Sequence, residues 1–273
     1  DKSGDYLNGW GRIGHDFIVP HGLSVGPDGL IYTSDTGDHT VRCWDRYGRL
    51  ILTIGQPLVN SPIQSGKPFN KPTHLAVASN GDLYASDGYG NSHIHCFDSS
   101  GRYKFSWGGH GSGFGQFDTI HSVFVDIDDD DKIYAADRYN NRVQFFTRNG
   151  DFIGEWTGLN LPNDICKGPD GNFYIAELDH RLSILSSNGK LLSRWGDVGI
   201  DVDDVDTGSG LPTSPSRNPM IRGRVKYEPG AGLFGAPHGI AVDSRGNLYV
   251  AEVCEAFLGI DRGDRSVQRF EPI

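Results

Sequence analysis

One sequence pattern recurs five times along the chain, and this repetition constrains the fold more than any other feature. Each copy has an apolar stretch, a turn with glycine, an aromatic strand ending in Asp or Glu, and a further strand ending in an aromatic residue. The copies begin near Pro20, Pro72, Ile120, Pro162 and Pro237. A repeat of roughly 40–50 residues made of short strands is typical of the blades of a β-propeller.

Alternation within each copy supports strands rather than helices. In the first copy Leu30, Tyr32 and Ser34 lie on one face, and Ile31 and Thr33 lie on the other. Dipeptides such as Asp-Gly and Asn-Gly separate two such runs in the way that a tight hairpin requires. The sequence therefore predicts an all-β propeller of five blades, formed by residues 1–273 as a single domain.

The two ends of the chain suggest how such a ring would close. The first four copies end in a fourth strand, whereas the fifth ends at Phe270 without one. The N-terminal segment Tyr6–Ile13 has the pattern of the missing strand, and we expect it to pair with the strand ending at Phe270, because closure removes exposed sheet edges. The interval before the fifth copy is longer, and its polar residues, about 199–232, are predicted to form a surface loop.

Charge and composition exclude several classes of partner. The formal net charge is −10 and no Lys/Arg cluster is present, so we expect no nucleic-acid partner. No apolar run approaches the length of a membrane span, so we expect no membrane partner and a soluble protein, cytoplasmic or secreted after removal of a leader. The four cysteines form no Cys-X-X-Cys pair and are expected to be buried thiols.

The residue after the first position of each copy occupies the same place in every blade and should border the central channel. In ring order these residues are His21, Thr73, His121, Asn163 and His238. Three imidazoles with an open fourth position are a common way to hold a catalytic zinc ion, although Cu, Fe and Ni also bind imidazole. The alternative is that each histidine only begins a strand and hydrogen-bonds to a backbone carbonyl.

Further polar residues follow the second strand of each copy, near the same mouth of the channel. The acids Asp35, Asp87 and Asp137 are expected to be structural, because a carboxylate there can accept hydrogen bonds from the following turn. Tyr89 and Arg138 differ from their equivalents elsewhere, which include Thr36, Gly37 and Leu178. A phenol and a guanidinium that face one cavity would suit proton transfer and anion binding.

These motifs resemble the NHL-repeat propellers, and within them the peptidyl-α-hydroxyglycine α-amidating lyases. The resemblance rests on Pro-His-Gly at 20–22, Pro-Thr at 72–73, His-Ser at 121–122, Asn163 and Pro-His at 237–238. It implies that His21, His121 and His238 are zinc ligands. It also implies that Tyr89, in "SDGYGNS", and Arg138, in "ADRYNNR", are active-site residues, and it makes six blades the alternative to five.

The chain departs from that family's pattern at three points. The family's additional N-terminal blade, which supplies another active-site arginine, has no counterpart before Pro20. The aspartate that follows the third histidine and binds a structural calcium is Gly239 here, and the aspartate after Pro-Thr is His74. The resemblance therefore favours zinc over calcium.

Three functions are consistent with these observations. The first is a zinc-dependent lyase that cleaves an α-hydroxy amide (a carbinolamide), from a small-molecule or peptide-derived substrate, to an amide and an aldehyde such as glyoxylate. Tyr89 would handle the proton and Arg138 would hold a carboxylate. The second is a non-catalytic NHL-repeat scaffold that binds a protein partner. The third is a metal-dependent hydrolase of the lactonase type, although such sites favour calcium held by carboxylates and Asn.

Overall fold

The computed structural model describes residues 5–196, 232–258, 261 and 263–271. These residues form five antiparallel sheets, four of four strands and one of three. In chain order and blade by blade, the strands are β1 (Pro20–Val25), β2 (Ile31–Asp35), β3 (Thr40–Trp44) and β4 (Leu50–Ile54); β5 (His74–Val77), β6 (Leu83–Asp87), β7 (His93–Phe97) and β8 (Tyr103–Gly108); β9 (Ile120–Asp126), β10 (Lys132–Asp137), β11 (Arg142–Phe146) and β12 (Phe152–Trp156); β13 (Pro162–Lys167), β14 (Phe173–Glu177), β15 (Arg181–Leu185) and β16 (Leu191–Trp195); β17 (Pro237–Val242), β18 (Leu248–Glu252) and β19 (Val267–Phe270).

The sheets confirm the predicted all-β propeller with five blades. The hairpin between the first two strands turns at a glycine with φ between +75° and +84° in four blades, at Gly29, Gly81, Gly171 and Gly246. That left-handed conformation favours glycine over residues with a Cβ. The only helices in the described residues are short: α1 (Cys254–Leu258) and two 3-10 helices, Arg138–Asn140 and Gly263–Ser266.

The hydrophobic core lies between neighbouring blades rather than at the centre of the ring. Tyr32 and Val41 of blade one, for example, share a buried cluster with Leu75 and Val77 of blade two. The first strands of successive blades lie side by side around the channel, in the order β1, β5, β9, β13, β17. This arrangement brings the second residue of β1, β9, β13 and β17 to the channel, together with Thr73, which directly precedes β5.

The spacing of three channel histidines indicates that blades five and one are not adjacent as successive blades are. The ring centroids of His21 and His121 are 4.7 Å apart, those of His121 and His238 are 4.4 Å apart, and those of His21 and His238 are 5.2 Å apart. In a closed ring of five, blades five and one would be neighbours, and His21–His238 would be the shortest distance. It is the longest. We call the space between blades five and one, which no described residue fills, the unfilled sector.

The expected pairing of Tyr6–Ile13 with the strand ending at Phe270 is wrong. Residues 5–12 form no strand, and β19 is the last strand of a three-stranded sheet. The unfilled sector separates these two parts of the chain. Trp10 instead packs on blade one, with its ring 5.2 Å from that of Trp44 and 6.4 Å from that of Phe17.

The loop predicted at about 199–232 lies, except for Gly232, outside the described residues. Three of the cysteines are buried and Cys166 is half-buried, all as free thiols. In the described part of the chain, no helix has both the length and the apolar character that a membrane span needs.

Candidate metal centre

Three histidines from alternate blades converge at one end of the channel. His21 lies in β1, His121 in β9 and His238 in β17, each as the second residue of its strand. Each offers one ring nitrogen, and the three nitrogens lie within 4.8 Å of one another. The structure therefore brings together the three residues that the sequence singled out as metal ligands.

Backbone carbonyls fix the orientation of two of these rings. Nδ1 of His21 donates to the carbonyl of Thr73 at 2.7 Å, and Nδ1 of His121 donates to the carbonyl of Asn163 at 2.9 Å. Each Nε2 is then left without a proton and faces the channel. The two interpretations of the histidines are thus compatible, because one nitrogen serves the backbone and the other is free to bind a metal.

Burial keeps the three imidazoles neutral. It lowers the pKa of His21 to about 4, although the hydrogen bond to Thr73 acts in the opposite direction. Burial also holds the pKa values of His121 and His238 well below the ordinary value, with smaller contributions from neighbouring positive charges. Neutral imidazole is the form that binds metal ions.

The cluster fits a zinc ion in its chemistry. Two nitrogens bound to one tetrahedral zinc ion at about 2.1 Å are roughly 3.4 Å apart. Movements of the ring nitrogens by about 1 Å would bring the three histidines from their present distances to this one. Three neutral imidazoles do not compensate the positive charge of the ion, and they leave its fourth coordination position open. An anionic oxygen could therefore bind there. His21, His121 and His238 would hold the ion.

Tyr89 brings its hydroxyl group to the same point. The oxygen lies 2.9 Å from Nε2 of His21 and 3.1 Å from Nε2 of His121, so its single proton can serve only one of them at a time. Two glycines allow the turn after β6 to approach so closely. A Cβ on Gly88 would stand 1.8 Å from the carbonyl oxygen of Ile120, and one on Gly90 would stand 2.3 Å from Asn70 Oδ1.

Arg138 is a buried cation beside this hydroxyl. Its guanidinium carbon lies 5.4 Å from the centre of the Tyr89 ring and 4.7 Å from that of Tyr139. Nη2 donates to the Tyr139 hydroxyl at 3.2 Å, while the buried Nε has no hydrogen-bond partner. No carboxylate of the described residues forms an ion pair with it. An unpaired buried guanidinium is suited to an anionic ligand.

The repeat acids have the structural role expected of them. Asp35 accepts hydrogen bonds from the following turn at Gly37 and from the backbone of Val19, which leads into β1. Asp87 accepts from the backbone of Asn70 and Asp137 from that of Asp118, so each acid ties its second strand to the start of its own blade.

Sequence reasoning missed a second layer of channel residues. His74, Ser122 and Asp164 follow the ring positions directly and line the same cavity as the three histidines. Asp164 is half-buried. Desolvation raises the pKa of its carboxyl, and Oδ2 accepts the backbone N–H of Ile240 at 3.0 Å. The available signal was position, since each of these residues lies one place after a ring residue.

Comparisons with known proteins agree with this architecture. A family model described as "6-bladed beta-propeller" matches residues 69–192, and one described as "NHL repeat" matches residues 17–44. The chain is 29% identical over 258 residues, 89% of its length, to peptidyl-alpha-hydroxyglycine alpha-amidating lyase 1 of Drosophila melanogaster. It is 27% identical over 201 residues, 68% of its length, to the human NHL repeat-containing protein 3.

These matches extend over only part of each relative. They cover 44% of the fly protein and 56% of the human protein, so the chain spans about half the length of these curated relatives. The crystal structure of virginiamycin B lyase from Staphylococcus aureus aligns with a TM-score of 0.54 at 14% identity, over 85% of this chain and 63% of that one. At that identity the likeness concerns the fold alone.

Proposed function

We propose that this chain, an NHL-repeat β-propeller, is a zinc-dependent lyase that cleaves an α-hydroxy amide to an amide and an aldehyde such as glyoxylate. The observation that carries the proposal is the convergence of three neutral imidazoles from alternate blades, with the hydroxyl of Tyr89 at their centre. The resemblance to amidating lyases, which extends over most of the chain, supports the same reaction.

Zinc bound by the three histidines would act as a Lewis acid and lower the pKa of a substrate hydroxyl. In the reaction that hydroxyl loses its proton, its carbon–oxygen bond becomes the aldehyde carbonyl, and the neighbouring carbon–nitrogen bond breaks. The amide nitrogen then takes up a proton. The phenol oxygen of Tyr89 is the group of this chain best placed to carry a proton between the two atoms.

In this proposal Arg138 binds the carboxylate of the substrate. A hydroxyglycine-type substrate carries a carboxylate on the carbon that becomes the aldehyde. The guanidinium lies beside Tyr89 and has no carboxylate partner in the described part of the chain, so a substrate carboxylate can pair with it. This contact would place the hydroxyl-bearing carbon next to the histidines.

One observation favours a second candidate, an NHL-repeat scaffold for a protein partner. The human NHL repeat-containing protein 3 matches two thirds of the chain, and blades one and five expose apolar side chains to the unfilled sector. In that function the histidines would bind no metal and would only join neighbouring blades.

Metal analysis with an activity assay separates the two candidates. The protein is purified without chelator, its zinc content is measured, and it is incubated with a peptide that ends in α-hydroxyglycine. The lyase proposal expects about one zinc per chain and release of glyoxylate that stops on chelation and returns with zinc. Protein that neither carries nor takes up zinc, and releases no glyoxylate, would leave the scaffold.

A further inference from the structure

An asparagine in the turn after the second strand distinguishes blades two and three from blades one and four. In these four blades the residue just before the third strand has a left-handed backbone, namely His39, Ser92, Asn141 and His180. The residue before that one is Asn91 in blade two and Asn140 in blade three. It is Asp38 in blade one and Asp179 in blade four. The difference matters because an amide both donates and accepts hydrogen bonds, whereas an ionised carboxylate only accepts them.

Asn91 joins the turn that carries Tyr89 to the segment that leads into blade two. Its side chain is fully buried. Nδ2 donates to the carbonyl of Lys67 at 2.7 Å and to Oδ2 of Asp87 at 2.9 Å. Oδ1 accepts the backbone N–H of Gly66 at 2.9 Å. The amide donates and accepts at once, which an ionised carboxylate in its place could not do.

The turn that carries Tyr89 depends on contacts from outside itself. Tyr89 stands between Gly88 and Gly90, and glycine has the largest backbone freedom of any residue. The side chain of Asn91 supplies three of these outside contacts, and the N–H of Gln64 adds a fourth by donating to the carbonyl of Gly90 at 2.9 Å. Loss of the Asn91 amide would therefore allow the Tyr89 hydroxyl to move relative to the channel histidines.

Asn140 makes the corresponding contacts beside Arg138 in blade three. Nδ2 donates to the carbonyl of Gly111, in the segment that leads into this blade, and to Oδ2 of Asp137, both at 2.9 Å. Asn140 is also the last residue of the 3-10 helix that begins at Arg138. The amide of Asn140 therefore fixes the short helix from which the guanidinium extends.

Blades one and four make different contacts at this position. The side chain of Asp38 accepts hydrogen bonds from Thr40 and pairs with Arg42, all within blade one. Asp179 accepts a hydrogen bond from the side chain of Asn160, just before blade four. Neither turn carries a residue of the proposed site. In these four blades the donating amide thus occurs where the turn carries a site residue.

We propose that Asn91 and Asn140 are positioning residues of the lyase site, Asn91 for Tyr89 and Asn140 for Arg138. This inference rests on the proposed function, in which the phenol carries a proton and the guanidinium binds the carboxylate of the substrate. The two asparagines should therefore affect different kinetic constants. Loss of the Asn91 amide should slow the chemical step and lower kcat, whereas loss of the Asn140 amide should weaken substrate binding and raise KM.

Steady-state kinetics with a peptide that ends in α-hydroxyglycine test this division. Displacement of a reacting group by about 1 Å can cost on the order of 10²-fold, so kcat of Asn91→Ala should fall by about 10- to 100-fold with KM unchanged. KM of Asn140→Ala should rise by about 10- to 100-fold with kcat unchanged, because a charge-assisted contact to the substrate is misplaced. Asp179→Ala, at the same position of blade four, is the matched control and should change neither constant.

Zinc content and thermal unfolding are measured for every variant, so that folded, zinc-loaded proteins are compared. Asn91→Ser and Asn140→Ser, in which a hydroxyl can still donate one hydrogen bond, replace an alanine variant that does not fold. If both asparagine variants change kcat and KM alike, or if Asp179→Ala has an equal effect, the asparagines are structural and the proposal is overturned.

A spectroscopic signal at Tyr89 that needs no turnover distinguishes this inference from the lyase function. Fluorotyrosine is incorporated at this position alone, and its fluorine NMR resonance is recorded in the metal-free protein. The resonance should shift or broaden in Asn91→Ala and stay unchanged in Asp179→Ala. A resonance that is identical in Asn91→Ala and the parent would overturn the role given to Asn91. Parent protein that releases no glyoxylate would overturn the lyase function and with it the role of Asn140, and the resonance alone would then decide whether Asn91 positions Tyr89.

Discussion

The hydroxyl oxygen of Tyr89 lies 2.9 Å from Nε2 of His21, and this contact joins the turn after β6 to the metal centre. The two residues come from neighbouring blades and meet only because Gly88 and Gly90 allow the turn to approach the channel. The phenol is therefore positioned by the backbone and is available for chemistry at the histidines.

We expect Tyr89→Phe to retain zinc and stability but to lose turnover by on the order of 10²-fold, as is typical for removal of an acid–base group. Single-turnover release of glyoxylate measures the effect. Tyr103→Phe, on an exposed tyrosine of β8, is the control and should keep full activity. Unchanged turnover in Tyr89→Phe would show that the Tyr89 hydroxyl does not transfer a proton in the reaction.

Arg138 and Arg142 should respond oppositely to replacement by Met. Arg142 pairs with the buried carboxylate of Asp137 at 2.7 Å, so its loss leaves an uncompensated charge and should cost about 3–5 kcal/mol of unfolding free energy. Arg138 has no carboxylate partner in the described residues, so Arg138→Met should leave stability equal or higher.

Arg138→Met should instead raise KM for substrates with a free carboxylate by about 10- to 100-fold, the value of a charge-assisted hydrogen bond. For substrates in which that carboxylate is an ester, KM should be the same in Arg138→Met and in the parent protein. Urea denaturation and steady-state kinetics check the two effects. A large loss of stability in Arg138→Met, with KM unchanged, would make Arg138 a structural residue.

The unfilled sector predicts different costs for one substitution at equivalent positions. Leu75→Ala removes a side chain packed between blades and should cost about 2–5 kcal/mol. Leu23→Ala removes an exposed side chain from the 273-residue chain and should change stability by no more than about 0.5 kcal/mol. Equal losses in urea denaturation would show that Leu23 is covered in solution.

Acidification should destabilise the metal-free protein through its channel histidines. The pKa of His21 is about 4 in the folded protein and about 6.5 in the unfolded chain, so only the unfolded chain takes up this proton between those values. Stability should fall as pH is lowered from 6.5 to 4, by about 1.4 kcal/mol per pH unit for one such histidine. The pKa of Asp137, which burial raises to about 6, acts in the opposite direction.

A comparison with His21→Gln isolates this contribution. The variant should lose about one proton of the pH dependence between pH 6.5 and 4, in denaturation experiments with a chelator present. Identical pH dependence in the variant and the parent would mean that the pKa of His21 is the same in the folded protein and the unfolded chain.

Sequence reasoning found the residues of the site because the repeat fixes their register. His21, His121 and His238 share one position in the repeat, and Tyr89 and Arg138 stand out only against their plainer equivalents. Position in a blade determines position at the channel, so these residues could be assigned to one mouth before their contacts were known.

The same reasoning failed where angles between blades decide the outcome. The number of repeats gives the number of blades but not the sector that each occupies, which depends on packing between side chains such as Tyr32 and Leu75. The sequence therefore predicts the wrong neighbour for Tyr6–Ile13. The sequence also does not predict that His74 and Asp164 line the channel, because a second channel layer exists only once the first strands lie side by side.

The zinc content of the purified protein and of its single histidine variants tests the central claim most directly. The account predicts about one zinc per chain, with occupancy sharply reduced in His21→Ala, His121→Ala and His238→Ala, and a folded β-sheet signal in all four proteins. Packing between blades, rather than metal, holds the ring together, so the fold should survive. A parent protein that binds no zinc, or zinc content unchanged in all three variants, would contradict it.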